Sequence, residues 1–205
     1  MSQLKKSLFE FTAGNLCLDF ANTVDNRSND NAIELLTDYS RLVRWSEESG
    51  AISRRTADSL KVLAKDSPGT AQLAVRRAIQ LRDAIYDIFA AAAQQRVVPR
   101  TSLSVLNKVV QNALTHAQLA HTNHNFSWEW ITPESYLDSM LWPVARAAAE
   151  LLTSEDLSNV RQCASDTCAW LFLDKTKNHR RRWCDMSTCG NRDKARRYYQ
   201  RQKTG

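Results

Sequence analysis

The sequence predicts a mainly α-helical protein: an N-terminal helical bundle carrying one small β-hairpin, then a C-terminal unit built from a β-hairpin and a helix. Three observations lead there. Apolar residues recur at helical spacing through most of residues 16–155, one stretch around Trp128 switches to alternation, and four of the five cysteines crowd between residues 163 and 189. The division falls into residues 1–157 and 158–205.

The elements follow in order. In "NLCLDFANTV", Leu16, Phe20 and Val24 stand at i, i+4 and i+8 with Cys17 and Ala21 beside them, which predicts a short amphipathic helix. A polar loop, "DNRSND", follows. Asn31 stands three residues before Glu34, like a capping box, and predicts a helix start whose face is Ile33, Leu36, Tyr39, Leu42, Val43 and Trp45. Gly50 ends that helix, Ser53 caps a third, and Pro68 separates it from a long helix over about 69–95. The long helix carries Leu73, Ala74, Ala78, Leu81, Ile85, Ile88 and Phe89 on one side, with Arg76, Arg77, Arg82 and Asp83 largely on the other. Pro99 precedes a helix through Leu103, Leu106, Val110 and Leu114. Phe126, Trp128 and Trp130 then alternate with polar residues, predicting a hairpin that turns near 123–125. A last long helix is expected from Pro133 or Glu134, kinked at Pro143.

Charge is unevenly placed. Residues 175–205 hold eleven of the 28 Lys/Arg against two of the 22 Asp/Glu, +9, which leaves 17 basic and 20 acidic residues before them, −3. Clustered cations of this density attract a polyanion. The N-terminus shows no apolar signal core, and no run approaches the ~20 apolar residues of a membrane span. The expected location is the cytoplasm, without membrane contact, where clustered cysteines bind metal more often than they form disulfides.

Cys163, Cys168, Cys184 and Cys189 read C-x4-C-x15-C-x4-C. Two close pairs of soft thiolates suit tetrahedral Zn(II), and four of them leave no open position for catalytic water, so the metal is one structural Zn2+. Unligated buried thiols and a redox pair are the competing readings. "AWLFLD" and "RRRWC" are expected to pair as strands across the turn "KTKNH", bringing the cysteine pairs together ahead of a helix, an order like that of a treble-clef zinc finger. His179 falls in that turn and is not needed as a ligand.

The run Cys189-Gly190-Asn191-Arg192, both cysteine pairs, "WLFLD" and the basic helix with Lys194, Tyr198 and Arg201 resemble the CGNR zinc-finger family. "LCLDFANTV" and Leu106-Asn107 look like the helical ABATE domain that accompanies this finger. The resemblance implies an α-helical bundle, a zinc module and a bacterial transcription regulator.

The C-terminal helix is expected from Ser187, its preferred N-cap, to about Gln202, with Asn191 the alternative cap. Arg192, Arg196, Tyr199 and Lys203 fall in one stripe and Lys194, Arg197 and Arg201 in another. Ala195, Tyr198 and Gln202 are expected to pack it on the hairpin, and Gly190 to let backbone pass close to the metal. Arg180, Arg181 and Arg182 extend the positive surface. The candidate nucleic-acid contacts are therefore Arg180, Arg181, Arg182, Asn191, Arg192, Lys194, Arg196, Arg197 and Arg201. DNA is preferred over RNA because a short basic helix fits the major groove. The bland alternative is a solvated basic face.

His116, His121 and His124 have no metal-site spacing and are assigned to a surface hairpin. Asp19 and Asn22 either line a small-molecule pocket or make caps and buried hydrogen bonds, and Cys17 is a buried hydrophobe. No phosphate loop, nucleophile elbow or carboxylate pair stands out, so no enzyme is expected. The preferred function is a zinc-dependent DNA-binding transcription regulator, a homodimer whose helical domain senses a small-molecule effector or dimerises. The alternative is a ligand-sensing or protein-interaction module without direct DNA contact.

Overall fold

In a computed structural model of the chain, residues 8–28, 31–122 and 125–204 are described. Helix α1 (Leu16–Ala21) leads into a short antiparallel pair, β1 (Val24–Asp25) and β2 (Ile33–Glu34). Helices α2 (Tyr39–Glu48), α3 (Arg54–Asp66), α4 (Pro68–Ala93) and α5 (Arg100–Thr115) follow. The hairpin β3 (Ala117–Thr122) and β4 (Asn125–Trp130) precedes α6 (Leu141–Leu152). The chain closes with β5 (Val160–Gln162), β6 (Leu171–Leu173) and α7 (Asn191–Thr204).

Helix α4 is the spine, packed against α1, α2, α3, α5 and α6. It opens with proline, whose missing N–H is no loss at a helix start. Ala71, Ala74 and Ala78 then admit neighbouring helices closely, and Leu81, Ile85, Ile88 and Phe89 are buried below them. Phe20 of α1 meets Trp45 of α2 with ring centroids 4.9 Å apart. Both are buried, and each buried ring of this size contributes roughly 1.5–3 kcal/mol. Ser53 caps α3 by accepting from the Thr56 N–H at 3.1 Å, and Gly50 takes the left-handed φ of +76° after α2, both as the sequence indicates.

Several expectations are corrected. The helix at Leu16 stops at Ala21, and Val24 belongs to β1, paired with Glu34 of β2. Asn31–Glu34 is therefore no capping box, and Asp38 caps α2 by accepting from the Arg41 N–H at 2.9 Å. The Glu34 carboxylate instead takes the Leu36 N–H and both bonds of Arg82 at 2.6 Å. Arg82 is buried rather than solvated, also holding Asp83 at 3.0 Å, so that this ion pair pins the β1–β2 hairpin to α4. Leu73 is exposed. On α5 the buried residues are Ser102, Leu106 and Ala113, while Leu103 and Leu114 face outward. Helix α6 begins only at Leu141, after a 3-10 turn at Pro133–Ser135. Pro143 is its third residue, where no intrahelical N–H bond is required, so it starts the helix instead of kinking it.

The β3–β4 register pairs Leu119 with Trp128 and His121 with Phe126, as the alternation anticipates, with the turn at 123–124 and His124 outside the described residues. His121 packs on Phe126 at the surface. His116 does not lie in the strands: it caps α5, and its ring stacks on Trp142 at 4.3 Å.

Candidate metal centre

Strands β5 and β6 pair antiparallel, Val160 with Leu173 and Gln162 with Leu171. The Cys163 N–H donates to Trp170 O at 2.7 Å, so the first cysteine pair sits in the connection of this ladder. That differs from the sequence expectation. "RRRWC" forms no strand; it returns beside the knuckle through one backbone bond, Ala164 N to Arg182 O at 2.8 Å. Buried Asp174 makes the turn instead, accepting from Thr176 N and Oγ1 and from Arg181 N at 2.6–3.0 Å. Burial raises the Asp174 pKa, but the bonds from Thr176 and Arg181 outweigh it and hold the carboxyl below its ordinary value.

The second pair is shaped by Arg181 and Asp185. Arg181 lies over the Phe172 ring at 4.6 Å, donates from Nε to Trp183 O at 2.8 Å and also donates to Cys184 O. The Asp185 carboxylate accepts from Thr188 N at 2.8 Å, capping one π turn, Met186–Gly190, that leads into α7. Asp185, rather than Ser187 or Asn191, is thus the cap. Gly190 has no left-handed φ, and its bare Cα makes room for Met186, whose Sδ would stand 2.5 Å from an added Cβ.

All four sulfurs lie within 4.8 Å of one another, and each cysteine is buried. Cys168 Sγ is 3.6 Å from Cys184 Sγ, which is 3.7 Å from Cys189 Sγ. Four ligands at a Zn–S distance of about 2.3 Å form a tetrahedron with edges of about 3.8 Å, so the cluster fits zinc. Hydrogen bonds from Cys168 and Cys184 lower the Cys163 pKa, while those with Cys163 and Cys168, together with burial, raise that of Cys184. A buried cluster of this kind needs a cation to hold four thiolates together. Cys163, Cys168, Cys184 and Cys189 would hold one zinc, which supplies folding stability to the finger.

The finger is joined to the bundle by hydrogen bonds that the sequence does not advertise. Asn22, almost fully buried, donates from Nδ2 to Leu171 O at 2.8 Å and accepts from Leu171 N at 2.9 Å, acting as a one-residue strand beside β6. Trp170 Nε1 donates to Val24 O at 2.8 Å, Leu173 N to Ala13 O at 2.8 Å, and Tyr86 OH to Ala169 O at 3.1 Å. Asp19 in turn accepts from Ala13 N at 2.9 Å. One hydrophobic cluster runs from Cys17 and Phe20 through Trp170 and Phe172 to the metal cysteines. Of the alternatives for Asp19 and Asn22, the structure shows buried hydrogen bonds.

Helix α7 stands on this centre with little packing of its own. Among its described side chains only Asp193 is buried. Tyr198 and Tyr199 are 59% and 64% exposed, so Ala195, Tyr198 and Gln202 do not form the expected seam against the hairpin. The candidate contacts separate into groups. Arg180, Arg182 and Lys194 are exposed, Arg182 over the Trp183 ring. Asn191 holds Ser187 O at 3.0 Å, and Arg192 reaches Thr167 Oγ1 at 3.3 Å. Arg196 and Arg197 pair with Asp193 at 3.0 and 2.9 Å, and Arg196 also with Asp166. Arg181 is committed to the Cys184 loop, and the Arg201 side chain lies outside the described residues.

A helical bundle fused through a shared core to a four-cysteine site with a basic helix defines a zinc-finger protein. Residues 14–155 match the ABATE family, described as "Putative stress-induced transcription regulator", and residues 159–202 match the CGNR zinc finger. The chain belongs to the ABATE family, with a CGNR zinc finger at its C-terminal end. Neither is an enzyme family. No curated protein shows significant similarity to it. Among the described residues no helix is long and apolar enough to cross a membrane.

Proposed function

We propose that the protein is a cytoplasmic transcription regulator that grips duplex DNA with α7 and the 180–182 segment, while the bundle receives a signal or forms a homodimer. In this reading it carries no catalysis. The finger is the unit from residue 158 onward, and its zinc holds the grip in place. The observation that carries the proposal is the exposed basic helix standing directly on the metal centre, with Asp193 its only buried described side chain. A helix of this kind is free to enter a major groove and to place Arg and Lys against phosphates.

The ion pairs do not block this role. Arg196 and Arg197 are 43% and 49% exposed although the Asp193 carboxylate that they pair with is 6% exposed, so each guanidinium turns part of its donor edge to solvent. Phosphate can therefore be bound through the remaining N–H groups while Asp193 keeps its partners. The grip comprises Arg180, Arg182, Arg192, Lys194, Arg196 and Arg197, with Arg201 further along α7. Asn191 supports the helix start and Arg181 the metal loop.

The test is fluorescence anisotropy with duplex DNA across salt concentrations. About five phosphate contacts give a log–log slope near −5, a loss of about 10^3 in affinity between 50 and 200 mM salt. Lys194→Gln flattens that slope by about one. Affinity that ignores salt, or no binding at low salt, refutes the proposal.

A further inference from the structure

The β3–β4 hairpin has one apolar face, and most of that face is open. The pairs Ala117–Trp130, Leu119–Trp128 and His121–Phe126 share it, while Gln118, Ala120, Ser127 and Glu129 lie on the other side. The end next to the bundle is covered: Trp130 meets Trp142 at 5.8 Å, and Arg146 lies over Trp128 and Trp130 at 5.8 and 5.9 Å. Beyond that end Leu119, Phe126 and Trp128 are 64%, 75% and 46% exposed. Among the described residues the hairpin has no third strand beside it. A two-stranded ribbon is marginal in water by itself and gains stability when its apolar face is packed.

The charge and size of this face suit a second copy of the chain. Its six positions hold no Asp, Glu, Lys or Arg, so two identical faces meet without like-charge repulsion, as a two-fold contact of one patch with itself requires. Aromatic residues with few charges are also what the core of a homodimer interface contains. At about 150–250 Å2 for a large aromatic side chain, Leu119, Phe126 and Trp128 leave roughly 350–400 Å2 uncovered. Homodimer interfaces are about 65% apolar, so a contact built on these residues covers about 550–600 Å2 of each copy. The total of about 1,100–1,200 Å2 stands at the lower limit for a stable pair.

We propose that the protein forms a weak two-fold dimer through this hairpin, the Leu119, Phe126 and Trp128 face of one copy laid on the same face of the other. The inference rests on the reading of the bundle as the dimerising part, and names the surface. Such a pair holds two copies of α7, as recognition of paired half-sites requires.

The experiment is sedimentation equilibrium of the full, zinc-loaded chain without DNA, from micromolar to several hundred micromolar. A monomer–dimer equilibrium is expected, with Kd on the order of 10 µM. Leu119→Thr and Phe126→Thr put β-forming residues at exposed strand positions, so helix content and Tm stay as in the parent while Kd rises at least about tenfold. Val62→Thr, at a similarly exposed apolar position on α3, leaves Kd unchanged. The proposal is overturned if the chain stays monomeric throughout, the result expected were an unlike protein the occupant. It is equally overturned if the chain dimerises and both hairpin variants dimerise as the parent does. Duplex DNA binding is measured on the same preparations. A hairpin dimer that ignores DNA sinks only the regulator reading, and a salt-dependent DNA binder that stays monomeric sinks only this one.

Discussion

Replacing Asn22 should detach the finger from the bundle. Asn22 is 3% exposed and satisfies both backbone groups of Leu171, at 2.8 and 2.9 Å. Leucine has the same branched shape but is larger, so Asn22→Leu opens no cavity, removes the two bonds and adds some crowding. The Leu171 N–H and C=O are then buried and unpaired, each costing about 1–3 kcal/mol, so the expected loss is about 2–5 kcal/mol. In a chain of this length that lowers Tm by about 5–15 °C. Differential scanning calorimetry of the zinc-loaded protein reads it directly. Asn22→Asp is a sharper probe: the carboxylate still accepts from Leu171 N, but its second oxygen faces Leu171 O and can donate only when protonated. Its folded pKa must rise above its unfolded value, so the variant should regain stability as pH falls through that interval and lose it as pH rises. A loss under about 1 kcal/mol in Asn22→Leu, or a pH-independent deficit in Asn22→Asp, would refute the strand-like role.

Two other outcomes are expected. Burial, opposed by bonds from the Ala13 and Thr12 backbone, raises the Asp19 pKa to about 6 from 3.8. The native state therefore takes up a proton between these values, and stability falls as pH rises through about 4 to 6. Asp19→Asn, which still accepts from Ala13 N, should gain about 1–3 kcal/mol at pH 7 and nothing below pH 4, a difference that urea unfolding at the two pH values checks. Cys184→Ser should abolish the single zinc seen by native mass spectrometry and lower the melting transition of the whole chain, because the cysteines share the main hydrophobic cluster. Zinc retained at full stoichiometry would contradict the four-sulfur centre.

The parts legible in the sequence are those fixed by local chemistry. Cysteine spacing marks the metal centre, Pro68 and Ser53 mark helix starts, and Gly50 marks a helix end, since each acts on its own neighbours. The rest is decided by partners far along the chain. Asn31 and Glu34 imitate a capping box, but Arg82, 48 residues on, claims the Glu34 carboxylate and makes that stretch a strand. The stretch "RRRWC" reads as a return strand, yet β6 already has β5 as its partner and Asp174 turns the chain by side-chain bonds. Tyr198 suggests a packed seam by its spacing, and only the structure reveals that it stays mostly exposed, touching Tyr199 and Gln202 of its own helix. Asn22 carried a weak signal: a polar residue on an apolar helix face, whose partner 149 residues away no periodicity discloses.

The Asn22 bridge also sets a limit for protein engineering. A zinc finger spliced onto another protein usually travels as an independent cassette, cut at its sequence border. Here a cut at residue 158 would strand Leu171, Leu173 and Trp170 without Asn22, Ala13 and Val24. A transplantable version must carry the 13–24 segment with it, so the smallest portable unit is discontinuous in sequence.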